Sequence, residues 1–78
     1  MEQNVEAYGC EESIRCEVGG PEEFRARVLQ DYDRNYVTFF GLGTAAAGWV
    51  RHWCYDNCAP VPSDAALEEI ACRLLGWQ

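Results

Sequence analysis

Apolar and charged residues alternate in the first half of the chain, whereas a wider apolar spacing appears towards its end. Residues 14–18 (IRCEV) alternate strictly, which is typical of a β-strand with one buried face. Residues 36–40 (YVTFF) are rich in aromatic and β-branched side chains, and this composition also predicts a strand. Residues 1–12 are weakly patterned, and we interpret them as either a loosely ordered arm or an edge strand.

Residues 21–34 fit two interpretations. As a strand, the segment turns Phe24 and Val28 towards the core, and the break at residues 19–21 (GGP) forms a loop to the preceding strand. As a helix, it begins with Pro21 at its first position and has acidic residues in its first turn. The strand completes a small sheet and is the interpretation carried into the fold prediction.

The second half of the chain predicts two helices. Thr44 is a suitable N-cap for a helix that runs to about Cys58. A second helix begins at Ser63 and is ended by Gly76. The apolar residues at helical spacing are Ala46, Trp49, Val50, Trp53 and Cys54 in the first helix, and Leu67, Ile70, Ala71 and Leu74 in the second.

These elements predict an α+β fold: a small antiparallel β-sheet of about three strands packed against two C-terminal helices. The length of 78 residues allows a single domain, residues 1–78. A chain with 49% hydrophobic residues is too apolar to be disordered throughout.

The charge of the chain limits the kinds of partner that we expect it to bind. The 13 acidic and six basic residues give a formal net charge of −7, and every basic residue is arginine. The acidic residues gather in residues 1–23 and 54–78, around a weakly basic middle. Binding to nucleic acid needs clustered Lys and Arg to neutralise phosphates, so we expect no direct nucleic-acid partner. No apolar run approaches the roughly 20 residues of a membrane helix, and we expect no membrane partner.

The five cysteines cannot all pair within one chain because their number is odd. The chain does not open with a basic segment followed by an apolar stretch, as a secretory signal would. We therefore predict a cytoplasmic protein with mostly free thiols that behave as small buried hydrophobic groups.

Three arrangements suggest chemistry, and none is complete. His52, Cys54 and Cys58 provide metal-ligand types without the paired spacing of a structural zinc site. His52 does not share a helix face with either cysteine, as a thiol nucleophile would require. Residues 41–46 (GLGTAA) resemble the glycine-rich fingerprint of the Rossmann family, which implies dinucleotide binding, but residues 59–64 (APVPSD) cannot form the second parallel strand. We predict no cofactor, no metal and no enzymatic activity, with a small structural zinc domain as a minor alternative.

Aromatic and acidic residues point instead to a protein partner. A chain this short cannot fully bury three Trp and seven other aromatic residues, and exposed Trp and Tyr are favoured at interfaces. Carboxylates steer a protein onto a basic partner. We predict that acidic and tyrosine residues project from turns around the sheet and contact Arg or Lys of the partner. The candidate partner-binding residues are Glu22, Glu23, Asp31, Tyr32, Asp33 and Tyr36.

Three predicted strands (residues 14–18, 24–28 and 36–40), a helix over residues 44–58 and acidic ends give the chain the general character of small anti-CRISPR and anti-restriction proteins of phages and mobile elements. The chain resembles them as a class, without a shared motif. The resemblance implies a non-enzymatic inhibitor of a nucleic-acid-processing defence complex, acting in the host cytosol if phage-encoded. The alternative hypothesis is a homodimeric structural or regulatory interaction module.

Overall fold

The computed structural model describes the backbone of residues 2–77 and the side chains of residues 9–77. Over residues 2–77 it contains helices and no strand, so the predicted α+β fold is wrong and the protein is all-helical. The five helices are α1 (Glu2–Val18), α2 (Pro21–Asp31), α3 (Arg34–Phe40), α4 (Leu42–Asp56) and α5 (Asp64–Leu74).

The first predicted strand is the end of helix α1. Cys10 and Ile14 are buried and Val18 is half-buried, and residues four apart lie on one face of a helix. Cys16, which the alternating pattern would have placed inside, is exposed. The edge strand considered for residues 1–12 is also wrong for the backbone of residues 2–12, whereas the side chains of residues 1–8 lie outside the described residues.

The segment 21–34 follows the helical alternative, so the strand carried into the fold prediction is wrong. Pro21 occupies the start of α2, where the missing N–H costs nothing. Phe24 and Val28, four apart, are buried. Tyr32 follows the helix in an extended conformation, and its N–H is bonded to the carbonyl oxygen of Val28.

The third predicted strand, residues 36–40, forms the short helix α3. A strand must pair its backbone N–H and C=O groups with a neighbour, and residues 14–18 and 24–28 are helical. A helix satisfies these groups locally, and Gly41 closes the last turn by donating its N–H to the Val37 carbonyl at 2.8 Å. The aromatic residues of this segment favour a strand, but the described residues contain no second strand with which it could pair, and the segment is helical.

The two predicted C-terminal helices are confirmed. The Ser63 hydroxyl accepts a hydrogen bond from the Ala66 N–H at 3.3 Å and caps α5, and the four apolar residues predicted for its inner face are buried. Helix α4 begins and ends two residues before the predicted range 44–58, and its N-cap is Gly41, so the predicted Thr44 cap is wrong. Its buried residues include Ala45, which was not among the apolar residues predicted at helical spacing.

Helix α4 lies at the centre of the fold. It packs against α5, α3 and α2, while α1 contacts α2 and α5. Phe24 meets Trp49 edge-to-face, with ring centroids 5.3 Å apart. The consecutive alanines 45–47 are buried, and these short side chains allow neighbouring helices to approach closely.

One carboxylate is buried between α1 and α5. Glu11 is 7% exposed, and it pairs with Arg15 at 3.1 Å and with Arg73 at 3.6 Å. Both arginine side chains are about half exposed, so the ion pairs lie at the edge of the core and join the two helices there.

No helix described over residues 2–77 is both long enough and apolar enough to cross a membrane.

A single residue, Gly41, separates α3 from α4. Its φ of 98° and ψ of 153° fall in a region that essentially only glycine adopts. The Gly41 carbonyl accepts the first helical bond of α4, from the Ala45 N–H at 3.2 Å. This backbone conformation sets the direction in which α3 leaves α4.

We expect Gly41→Ala to lower the free energy of unfolding by about 1–3 kcal/mol, because a Cβ strains this conformation. Urea denaturation followed by circular dichroism measures the change. The matched control is Gly9→Ala, since Gly9 lies in α1 with open space around it and alanine favours a helix by about 0.5–1 kcal/mol. Equal stability of the two variants would contradict the role assigned to Gly41.

Candidate functional site

Helix α3 exposes a row of aromatic rings. Phe39 is 84% exposed, Phe40 55% and Tyr36 37%. The rings contact one another: the centroids of Tyr36 and Phe40 are 4.7 Å apart, and those of Phe39 and Phe40 are 5.2 Å apart. We call these three residues the α3 aromatic surface.

The α3 aromatic surface contacts the rest of the protein through two neighbouring residues, Val37 and Tyr32. No residue of α3 is buried, although Val37 is half-buried against the core. Tyr32 is half-buried and lies 5.3 Å from Tyr36, measured between ring centroids, and burial raises the pKa of its phenol. Contiguous exposed aromatic rings are uncommon on proteins without a partner, so this surface is a candidate binding site.

A second candidate is a groove of about 560 Å³ between α4 and the ends of α1 and α2, which we call the Trp groove. Its aromatic walls are Tyr32, Trp49 and Trp53, and its carboxylates are Glu17, Asp31 and Asp56. Arg27, His52 and Asn57 complete the lining.

Two indole–carboxylate hydrogen bonds hold the walls of the Trp groove. Trp49 Nε1 donates to Asp31 Oδ2 at 2.6 Å, which joins α4 to the end of α2. Trp53 Nε1 donates to Glu17 Oε1 at 3.1 Å, which joins α4 to the end of α1. Each ring is thereby fixed in orientation beside a negative charge.

Arg27 adds a cation to the first of these pairs. Its guanidinium carbon lies 5.8 Å from the centroid of the Trp49 ring, within the range of a cation–π interaction. Its Nε atom is 3.8 Å from Asp31 Oδ2. The guanidinium, the indole and the carboxylate form one cluster.

The structure separates the predicted partner-binding residues into two groups. Glu22 and Glu23 are exposed in the first turn of α2, whereas Asp31 ends the same helix, about 12 Å further along its axis. Asp33 precedes α3 and is exposed. The four carboxylates therefore do not surround a sheet as expected, and they do not form one cluster.

Asp31, Tyr32 and Tyr36 are brought together, each with a role inside the protein. Asp31 accepts the Trp49 indole hydrogen bond. Tyr32 connects the two candidate sites, because it lines the Trp groove and contacts Tyr36.

Sequence reasoning missed most of the Trp groove, although a signal was present. Trp49, His52, Trp53 and Asp56 are spaced i, i+3, i+4 and i+7, which places them on one helical stripe. The exposed rings of Phe39 and Phe40 carried no such signal, since strand propensity had placed them in a sheet.

The arrangements considered for chemistry do not come together. Cys54 is buried, while His52 and Cys58 are exposed, and within residues 9–77 no three His, Cys, Asp or Glu side chains converge as metal ligands. The glycine-rich segment 41–46 follows helix α3 instead of a strand, so the structural context of a dinucleotide fingerprint is missing.

The five cysteines, all within residues 9–77, form no disulfide. Cys10 on α1 and Cys54 on α4 are buried, and a hydrogen bond joins their thiols. Burial, followed by the nearby Cys54 group, raises the pKa of Cys10 to about 11. A buried thiol with a raised pKa is a poor nucleophile.

Comparison of the chain with protein-family models, with curated proteins and with solved structures finds no match.

The Cys10 thiol gives an expected pH dependence. The unfolded chain releases this proton near pH 9 and the folded chain near pH 11, so stability falls as the pH rises through this interval. We expect Cys10 to contribute on the order of 2 kcal/mol to that loss. Urea unfolding at pH 8 and pH 10.5 measures it. Cys10→Ala should reduce the pH-dependent loss, whereas Cys16→Ala, which removes an exposed thiol, should retain it; equal losses in the two variants would refute the assignment.

Proposed function

We propose that this chain is a non-enzymatic protein that binds a basic surface of a partner protein, with the α3 aromatic surface as its anchor. The observation that carries the proposal is that α3 buries none of its own residues while it exposes three contacting aromatic rings. These rings contribute little to the core, and a partner that covers them removes them from water.

The aromatic composition of the α3 aromatic surface suits an interface anchor. Aromatic residues dominate the energetics of interfaces because they bury large areas at low cost in side-chain entropy. The Asp33 and Asn35 side chains line the open depression beside these rings, and they provide the polar rim that surrounds such an anchor.

Charge supports a basic partner. Four of the six arginines, Arg15, Arg27, Arg51 and Arg73, form ion pairs with carboxylates of the same chain. Their charges are compensated within the protein, and the excess of 13 acidic over six basic residues remains. A field of this sign accelerates encounter with a basic surface and repels phosphate.

We further propose that the partner's basic surface is one that binds nucleic acid, so that the chain acts as an inhibitor by competing with phosphate. Small size and acidic charge support this partner class. The three strands in the resemblance to anti-CRISPR and anti-restriction proteins are helices in this fold and no longer support it. Five cysteines without a disulfide favour action in the reducing cytosol.

Self-association is a second candidate function. The α3 aromatic surface carries no charged side chain between residues 35 and 40. Two copies can therefore pack these faces together in a symmetric dimer without placing like charges opposite each other.

The proposal is tested by binding measurements with variants of α3. Proteins that the wild-type chain captures from a nuclease-treated cell extract are purified, and their dissociation constants are measured by calorimetry. We expect Phe39→Ala with Phe40→Ala to weaken binding by about tenfold or more, because anchor residues dominate interface energy. The matched control is Tyr55→Ala, which removes another exposed ring, 59% accessible, from α4.

Three outcomes decide between the hypotheses. The proposal is supported if a basic partner binds the wild-type chain and the Tyr55 variant but not the α3 variant, and if its affinity falls as the salt concentration increases. Equal loss or equal retention by the α3 and Tyr55 variants refutes it. If light scattering instead gives twice the chain mass for the wild type and the monomer mass for the α3 variant, the surface joins two copies of this chain.

Competition for nucleic acid requires its own measurement. The purified partner is titrated onto a fluorescently labelled nucleic acid, with and without this chain. We expect the wild-type chain to displace the nucleic acid and the α3 variant to displace much less. Simultaneous binding of both ligands would exclude inhibition by competition with phosphate.

A further inference from the structure

We infer that the Trp groove binds the side chain of an arginine presented by another protein, with the guanidinium over Trp53 and between Glu17 and Asp56. The inference goes beyond the proposed function, because the site shares no residue with the α3 aromatic surface. It assigns a binding site and the chemical class of its ligand, a planar cation.

The same arrangement of indole and carboxylate occurs twice along α4. Trp49 and Trp53 lie one helical turn apart on the same face. Each indole N–H donates to a carboxylate, Trp49 to Asp31 and Trp53 to Glu17. Two indole–carboxylate pairs therefore lie side by side in the groove.

A cation of the same chain completes one of the two pairs. Arg27 lies over Trp49 and beside Asp31, so the chain itself shows that this arrangement accommodates a guanidinium. Among the described residues, no arginine or lysine lies over Trp53 in the same way. The second pair thus has the chemistry of the first without a cation from residues 9–77.

Charge in the groove favours a cationic ligand. Three carboxylates, Glu17, Asp31 and Asp56, and one guanidinium, Arg27, line it. Asp56 is exposed at the rim and belongs to none of the ion pairs described within residues 9–77. Glu17 and Asp56 are therefore positioned to accept hydrogen bonds from an incoming cation beside Trp53.

The indole and carboxylate groups that line the groove favour arginine over lysine. A guanidinium is flat, stacks on an indole and donates two hydrogen bonds to one carboxylate, whereas an ammonium is a more strongly hydrated point charge. The groove volume, about 560 Å³, lies within the range of about 300–1,000 Å³ that ligand clefts occupy.

The test uses N-acetyl-arginine methylamide as the probe and the indole N–H signals of the ¹⁵N-labelled protein as the readout. We expect saturable shifts of the Trp49 and Trp53 indole signals, with a dissociation constant on the order of 1–10 mM for a single side chain. Trp77 serves as an internal reference, because its ring lies against Gly43, outside the groove.

A neutral ligand and two protein variants separate arginine binding from weak stacking. The citrulline analogue keeps the planar group and loses the charge, and we expect it to bind about threefold to tenfold more weakly. Asp56→Asn and Glu17→Gln should each weaken binding of the arginine probe by a similar factor, while Glu68→Gln, a carboxylate outside the groove, should not. Asp56 is exposed at the end of α4, so its variant remains informative even if Glu17→Gln perturbs the fold.

The inference is overturned if no saturable shift occurs, if citrulline binds as well as arginine, or if Trp77 shifts together with the groove signals. Phe39→Ala distinguishes this inference from the proposed function. It should leave the groove shifts unchanged while it weakens capture of a protein partner. Failure of the small probe does not alter the α3 test, and failure of the α3 test does not alter the probe result.

Discussion

Contact with the central helix α4 is the constraint on which the rest of the structure depends. Helices α2, α3 and α5 all pack against it, and its buried residues extend from Ala45 to Cys54. A chain of 78 residues buries a smaller fraction of its surface than a larger domain, so one helix has to serve several neighbours at once. The short side chains of residues 45–47 in the first half of α4 and the large ring of Trp49 at its middle meet this demand.

The two candidate sites differ in how far their residues also stabilise the core. Trp49 packs against Phe24 in the core and bonds to Asp31 at the groove, so a substitution there affects both folding and the groove. In contrast, Phe39 and Phe40 are largely exposed. The two candidate sites therefore differ in how strongly the core restricts their residues.

The sequence predicted the parts of the fold that depend on local signals. The Ser63 cap and the apolar spacing of α5 agree with the structure, because both act within one helix. The strand at residues 14–18 was wrong because Ile14 and Val18 satisfy a two-residue and a four-residue period alike, and the exposed position of Cys16 agrees only with the second. The strand at residues 36–40 was wrong because pairing depends on distant segments. The groove was missed because Glu17 and Trp53 meet only after folding.

The exposed position of α3 has a consequence for how the protein can change over generations. Since the helix buries no residue, most of its side chains can be replaced without loss of the core. Substitution is restricted at the half-buried Val37, at Tyr36, whose ring contacts that of Tyr32, and at the backbone of Gly41. If the proposed partner changes over generations, a lineage can therefore vary Phe39 and Phe40 independently of folding, and specificity can diverge while the scaffold stays the same.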